Sequence, residues 1–146
     1  MRQDRPSFSH GALIDTSAYF AFADRDDVHR SDAQAVFTRL AESRVRLLTT
    51  NLILAETHAL ILNRLNRLVA SRFLHDTLQG STTILWVTPA DVQQAAQIID
   101  QHDDKDFSLT DATSFAVMER LRIGVVFTFD HHFVQYGFSL LTPDRF

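Results

Sequence analysis

Cysteine is missing from all 146 residues, which excludes disulfides, thiol nucleophiles and cysteine-ligated zinc. Lysine is nearly missing too: Lys105 stands alone against thirteen arginines. Four glycines and three prolines leave little room for a hinge or linker, and the length fits one domain better than two. Low-complexity tracts and internal repeats are absent. Apolar runs stay well short of the roughly 20 residues that span a bilayer. Residues Met1–His10 lack the apolar core of a signal peptide. A soluble, cytoplasmic protein without membrane contact is therefore expected, with residues 1–11 a flexible arm and 12–146 a single domain. Positive charge is also short. A formal net charge of −4 argues against a generic basic coat for nucleic acid, though not against one local site.

What is present is apolar enough to build a core. At 45% hydrophobic residues, a chain of this size buries roughly two-thirds of its unfolded surface. Runs of strand length occur at Ala12–Ile14, Arg46–Thr49, Ile84–Val87 and Val125–Phe129, with a weaker one at Phe138–Leu141. They are continuous rather than alternating, as in strands buried on both faces. Helical patterns lie between them. Ala33, Val36, Phe37 and Leu40 share one helix face. The stretch from Asn51 to Gln79 is too long for one ordinary helix and reads as two. Thr88-Pro89-Ala90-Asp91 starts another, with Val92, Ala95, Ala96 and Ile99 as its apolar stripe. Ser108-Leu109-Thr110-Asp111 starts one that runs to about Arg122, ended by Gly124. Strands alternating with helices make an α/β fold with a mostly parallel sheet. Right-handed crossovers put all strand C-termini on one edge, where ligands bind.

Carboxylates cluster at that edge. Asp15 follows the first strand and Asp130 the fourth; Asp111 lies in the first turn of the helix leading to the fourth strand. Glu56 lies early in the helix after the second strand, beside Leu52, Ala59 and Leu60, on or next to an apolar stripe. Singly, each has an ordinary explanation: a helix cap at Asp15, a capping-box acid at Asp111, a turn at Asp130, a stripe-edge residue at Glu56. Together they repel. Two unit charges about 4 Å apart cost on the order of 4 kcal/mol at an effective dielectric near 20. A hard divalent cation with oxygen ligands, Mg²⁺ or Mn²⁺, relieves that cost. Such an ion attracts phosphate, activates water and offsets charge on phosphoryl oxygens.

Four blocks carry a resemblance: Ile14-Asp15-Thr16-Ser17-Ala18, Thr49 through Glu56, Phe107 through Ala112, and Thr128-Phe129-Asp130-His131-His132-Phe133. In order, spacing and context they resemble the PIN domain, and within it the VapC-type toxin ribonucleases and their stand-alone relatives. The resemblance spans roughly Ala12 to Leu141. It implies a three-layer α/β/α sandwich around a mostly parallel sheet of about five strands. It also implies an Mg²⁺- or Mn²⁺-dependent endoribonuclease that leaves 5′-phosphate and 3′-hydroxyl ends. Asp15, Glu56, Asp111 and Asp130 take the places of the four acids, with Asp15 and Asp111 as main metal ligands. Thr128 matches a supporting hydroxyl. Asp106 is either an outer acid or, as favoured, part of a solvated loop with Asp103 and Asp104. VapC-type proteins typically pair with a small antitoxin and often form dimers, so both partners are expected. Two features depart from the pattern: the ten residues ahead of the first strand, and His131-His132 after Asp130. The two histidines are surface residues, outer groups of the site or phosphate contacts when protonated, with at least one expected at the surface.

RNA contact has to come from arginine, and Arg64, Arg67 and Arg72 cluster on the second half of the long helical stretch. A solvated helix face is the alternative, and the favoured one. Leu60, Ile61, Leu62, Leu65, Leu68 and Val69 exceed what one buried face needs, which suggests an interface or dense core packing. A catalytically silent PIN-like RNA-binding or scaffold module is the non-enzyme alternative. A housekeeping RNA-processing nuclease without antitoxin keeps the chemistry and changes the biology. A receiver domain needs a lysine after its last core strand, and a dehalogenase-like phosphatase needs an aspartate where Ser17 stands; neither fits.

Overall fold

Three hydrophobic residues, Ala12-Leu13-Ile14, form the middle strand of a five-stranded parallel sheet in a computed structural model that describes residues 6–146. The element order is β1 (Ala12–Ile14), α1 (Thr16–Ala23), α2 (Arg30–Glu42), β2 (Leu47–Thr50), α3 (Asn51–Arg64), α4 (Arg67–Gln79), β3 (Thr83–Leu85), α5 (Pro89–Gln101), α6 (Leu109–Leu121), β4 (Val125–Phe127), α7 (His132–Tyr136) and β5 (Ser139–Leu140). The strands lie in the order β3-β2-β1-β4-β5, each parallel to its neighbour. The expected α/β fold is present.

Successive strand residues point to opposite faces, and this splits the core in two. From β1 and β4, Leu13 and Val126 join one cluster with Ile53, Ile98, Phe115, Met118 and Phe133 of the helices. Ala12, Ile14, Val125 and Phe127 join the other with Ala18, Val36 and Leu40 of α1 and α2. Both faces of the central strands are therefore covered, which is why their sequence is continuously apolar. β3 departs from that expectation. It is an edge strand, half-buried along its length.

Several boundaries differ from the sequence reading for identifiable reasons. α6 is not ended by Gly124: its last residue is Leu121, and Arg122 takes the left-handed conformation at φ 57°. The buried stripe of α5 is Asp91, Ala95 and Ile98, while Val92 is exposed. The helix is turned because Asp91 must face α6, where Arg120 Nε and Nη2 each donate to its carboxylate at 2.9 Å. In α3 the buried stripe is Ile53, Thr57 and Ile61, so Glu56 is exposed rather than held on an apolar face. The long helical stretch breaks at Leu65-Asn66, where the Asn66 side chain caps α4 by accepting from Val69 N–H at 2.9 Å.

Of the expected arm, residues 1–5 lie outside the described residues. Phe8 packs against Phe146 at 5.3 Å between ring centres. Among the described residues no helix is long and apolar enough to cross a membrane.

Candidate metal centre

Strand register brings the first two site residues together. Ile14 pairs with Phe127, so the residues that follow, Asp15 and Thr128, emerge side by side at the C-terminal edge. Thr128 Oγ1 donates to Asp15 Oδ2 at 2.9 Å. That uses the only proton of Thr128, so the 3.0 Å contact between Ser17 Oγ and Thr128 Oγ1 has serine as donor. Ser17 Oγ accepts in turn from Phe129 N–H at 2.8 Å, and Thr128 Oγ1 accepts from Asp130 N–H at 3.0 Å. The chain leaving β4 is thereby tied to the chain leaving β1.

Asp15 occupies the N-cap position of α1, but its side chain does not cap the helix. It is only 4% exposed. Burial pushes its pKa from 3.8 up to about 7, against the Thr128 hydrogen bond and with added repulsion from Asp111 and Glu56. Glu56 reaches this edge because α3 starts directly after β2. The hydroxyl of the next residue, Thr57, donates to Thr16 Oγ1 at 3.1 Å, pinning α3 against α1.

Asp111 is held by a capping box. Ser108 Oγ accepts from Asp111 N–H at 3.0 Å, and Asp111 Oδ2 accepts from Ser108 N–H at 3.2 Å. The local explanation for Asp111 is thus correct as far as it goes. α5 has the same box, with Asp91 as its acid. The two differ in what else the carboxylate meets: a guanidinium at Asp91, and at Asp111 the imidazole of His132, whose Nδ1 lies 2.8 Å from the Oδ2 that also accepts from Ser108. Asp130 likewise makes a turn, its Oδ1 accepting from His132 N–H at 3.0 Å, and Nδ1 of His132 lies 3.3 Å from the same carboxylate.

Asp111, Asp130 and His132 each offer one donor atom, all within 4.8 Å of one another. Two buried or half-buried carboxylates beside an imidazole, with ionisation of Asp15 opposed by its neighbours, form a donor set that fits a divalent cation. Lys105 supplies no counter-charge there; its ammonium pairs with Asp104 at 3.4 Å.

His132 and Ser17 both lie in the blocks that carry the resemblance, but residue type and spacing give neither its contact with the acids. Ser17 stands two residues past Asp15, and His132 opens a helix too short to show periodicity. His131, beside it, is exposed, as expected of one of the pair. Asp106 is exposed in the loop before α6. Arg64 and Arg67 are exposed where α3 meets α4. Eight helical residues separate Arg64 from Glu56, about 12 Å along the axis. A cavity of about 360 Å³ lies at the opposite, N-terminal edge, between Ser7, His10, Arg122, Ser139 and Arg145, and includes none of the four acids.

The PIN domain family matches residues 12–139. The chain belongs to the PIN domain family. Its matched span takes in all four acids and strands β1 to β4, and ends on the first residue of β5. Among curated relatives, this PIN domain is 29% identical over 132 residues to the 23S rRNA-specific endonuclease VapC20 of Mycobacterium tuberculosis, covering 90% of this chain and 98% of that one. It is 34% identical over 125 residues to a VapC ribonuclease of Archaeoglobus fulgidus, covering 84% and 78%. The crystal structure of VapC20, described as a sarcin-ricin loop cleaving toxin, superposes with a TM-score of 0.82 at 30% identity, over 90% of this chain and 99% of that one. The structure of FitAcB from Neisseria gonorrhoeae, at 19% identity and a TM-score of 0.64 over 90% and 97%, shares the fold.

Proposed function

We propose that this PIN domain is a divalent-metal-dependent endoribonuclease of the VapC type, neutralised by a small antitoxin. The observation that carries the proposal is the meeting of strand-end acids at one sheet edge, in a fold shared with proteins named as ribonucleases. Asp15, Asp111 and Asp130 would hold Mg²⁺ or Mn²⁺, with Glu56 completing the charge at the rim. When bound, the ion lowers the pKa of water and offsets negative charge building on the phosphate.

The protein's own contribution is preorganisation. Thr128 and Ser17 fix Asp15 against the β4 turn. The capping box fixes Asp111, and the α7 turn fixes Asp130. These carboxylates need not be ordered when RNA arrives. The four acids account for the whole formal charge of −4, so the remainder of the chain is formally neutral. Arg64 and Arg67 are the residues proposed to grip the RNA backbone to one side of the acids. Leu62 and Leu68, exposed at the end of α3 and the start of α4, are proposed for the antitoxin or a second copy of the chain.

The test is direct. Wild type, Asp15→Asn and Asp111→Asn are incubated with total RNA, with and without Mg²⁺, and product ends are mapped. Metal-dependent cleavage leaving 5′-phosphate and 3′-hydroxyl ends is expected from wild type alone. Undiminished cleavage by either variant, or none by wild type with Mg²⁺ or with Mn²⁺ in its place, overturns the proposal.

A further inference from the structure

His132 is placed as firmly as the acids it faces. Its backbone N–H donates to Asp130, and its ring packs edge-on against Phe107 at 5.5 Å and 81°. Phe107 is itself buried and immediately precedes the capping box that carries Asp111. The imidazole and the two carboxylates are thus held by one packed unit.

The spacings within that unit have a second meaning. Ligands at neighbouring corners of an octahedron, each about 2.1 Å from the ion, are about 3 Å apart. Nδ1 of His132 stands 2.8 Å from Asp111 Oδ2 and 3.3 Å from Asp130 Oδ1. A nitrogen so placed matters to the choice of ion. Mg²⁺ takes oxygen ligands and keeps several waters, so an imidazole adds little to its binding. First-row transition ions gain from imidazole, and Mn²⁺ also suits carboxylates.

We propose that His132 is a metal ligand through Nδ1, beside Asp111 and Asp130, and that this nitrogen biases the centre toward Mn²⁺ over Mg²⁺. The inference rests on the metal-centre part of the proposed function. It adds a donor outside the four acids and a preference those acids alone do not supply. His131, adjacent in sequence but exposed, is an internal control.

Pulsed EPR of the full chain loaded with Mn²⁺ tests this without RNA or turnover. Nitrogen-14 modulation from a coordinated imidazole is expected in wild type and His131→Ala, and lost in His132→Asn and His132→Phe. The asparagine keeps a polar group near the Nδ1 position; the phenylalanine keeps a ring against Phe107. Metal-free thermal unfolding of each variant reports whether the fold survives. Mn²⁺ affinity should fall by about 10–100-fold in both variants and Mg²⁺ affinity by only a few-fold. Mn²⁺ bound to wild type without nitrogen modulation overturns the ligand role while leaving the metal centre intact. Equal weakening of both ions in His132→Asn overturns the proposed preference. Failure of both ions to bind wild type overturns this inference and the metal-dependent function together.

Discussion

Replacing Asp15 with asparagine should stabilise the metal-free protein while removing its response to metal. Asp15 is 4% exposed, and burial with repulsion from Asp111 and Glu56 raises its pKa from 3.8 to about 7. At roughly 1.4 kcal/mol per pKa unit, ionising this group costs the folded state about 4 kcal/mol relative to the unfolded chain. That is a large part of a stability of roughly 5–15 kcal/mol. The sign follows from proton binding. Below pH 3.8 the carboxyl is protonated in both states and its contribution is complete. As pH rises to about 7 the unfolded chain has lost the proton and the fold still holds it, so stability falls; above that it stays low. Wild type should therefore lose about 3 kcal/mol from this group between about pH 5 and about pH 8. Asparagine stays neutral and its amide oxygen still accepts from Thr128. In urea melts with EDTA, the variant should exceed wild type by up to about 4 kcal/mol near pH 8, and by under about 2 near pH 5. Mg²⁺ at about 100 times its Kd should then return about 2.7 kcal/mol to wild type and little to the variant. A variant no more stable than wild type at alkaline pH, or one stabilised equally by Mg²⁺, refutes the reasoning.

Other positions make separate tests. Gly11 has φ +90°, and a Cβ there would meet Arg46 O at 2.7 Å and Leu48 Cδ1 at 3.0 Å, so Gly11→Ala should cost about 2–4 kcal/mol in chemical denaturation. Arg120→Met leaves buried Asp91 without its fork of two hydrogen bonds and should cost about 2 kcal/mol at neutral pH, moderated by the partial exposure of the guanidinium. Because Arg120 above all holds the Asp91 carboxyl below its ordinary pKa, that stabilisation is present above pH 3.8 and is lost in acid, where the melts of variant and wild type should converge. Among the described residues the buried Tyr19 hydroxyl has no hydrogen-bond partner, so Tyr19→Phe should be neutral or stabilising by about 1 kcal/mol; a clear loss in Tm argues against an unpaired hydroxyl. Reversing charge at Arg64 and Arg67 should weaken RNA binding and reduce the slope of log affinity against log salt by about 1–2; an unchanged slope returns both residues to a solvated helix face.

Much of the fold is readable in the chain because strand and helix signals are local here. The apolar triplets of β1 and β4 are short but covered on both faces, and continuous hydrophobicity is the signature of that burial. The box Thr88–Asp91 announces α5 within four residues. What failed was rotational phase. On α5 and α3 the exposed and buried stripes differ from the sequence reading because tertiary partners, Arg120 for Asp91 and Thr16 for Thr57, chose which face turned inward. Gly124 looked like the end of α6, but Arg122 takes the left-handed position and the glycine is left two residues beyond it.

Composition and spacing alone establish a cysteine-free α/β chain with four acids at strand ends and helix starts, because these properties need only neighbours a few residues apart. Which atoms meet depends on contacts across 21 residues in one case and 113 in the other. Thr128 reaches Asp15 only because β1 pairs with β4, and His132 meets Asp111 only because α7 folds back over the start of α6. A buried carboxylate becomes costly, and an imidazole becomes its neighbour, only once the chain has closed around them.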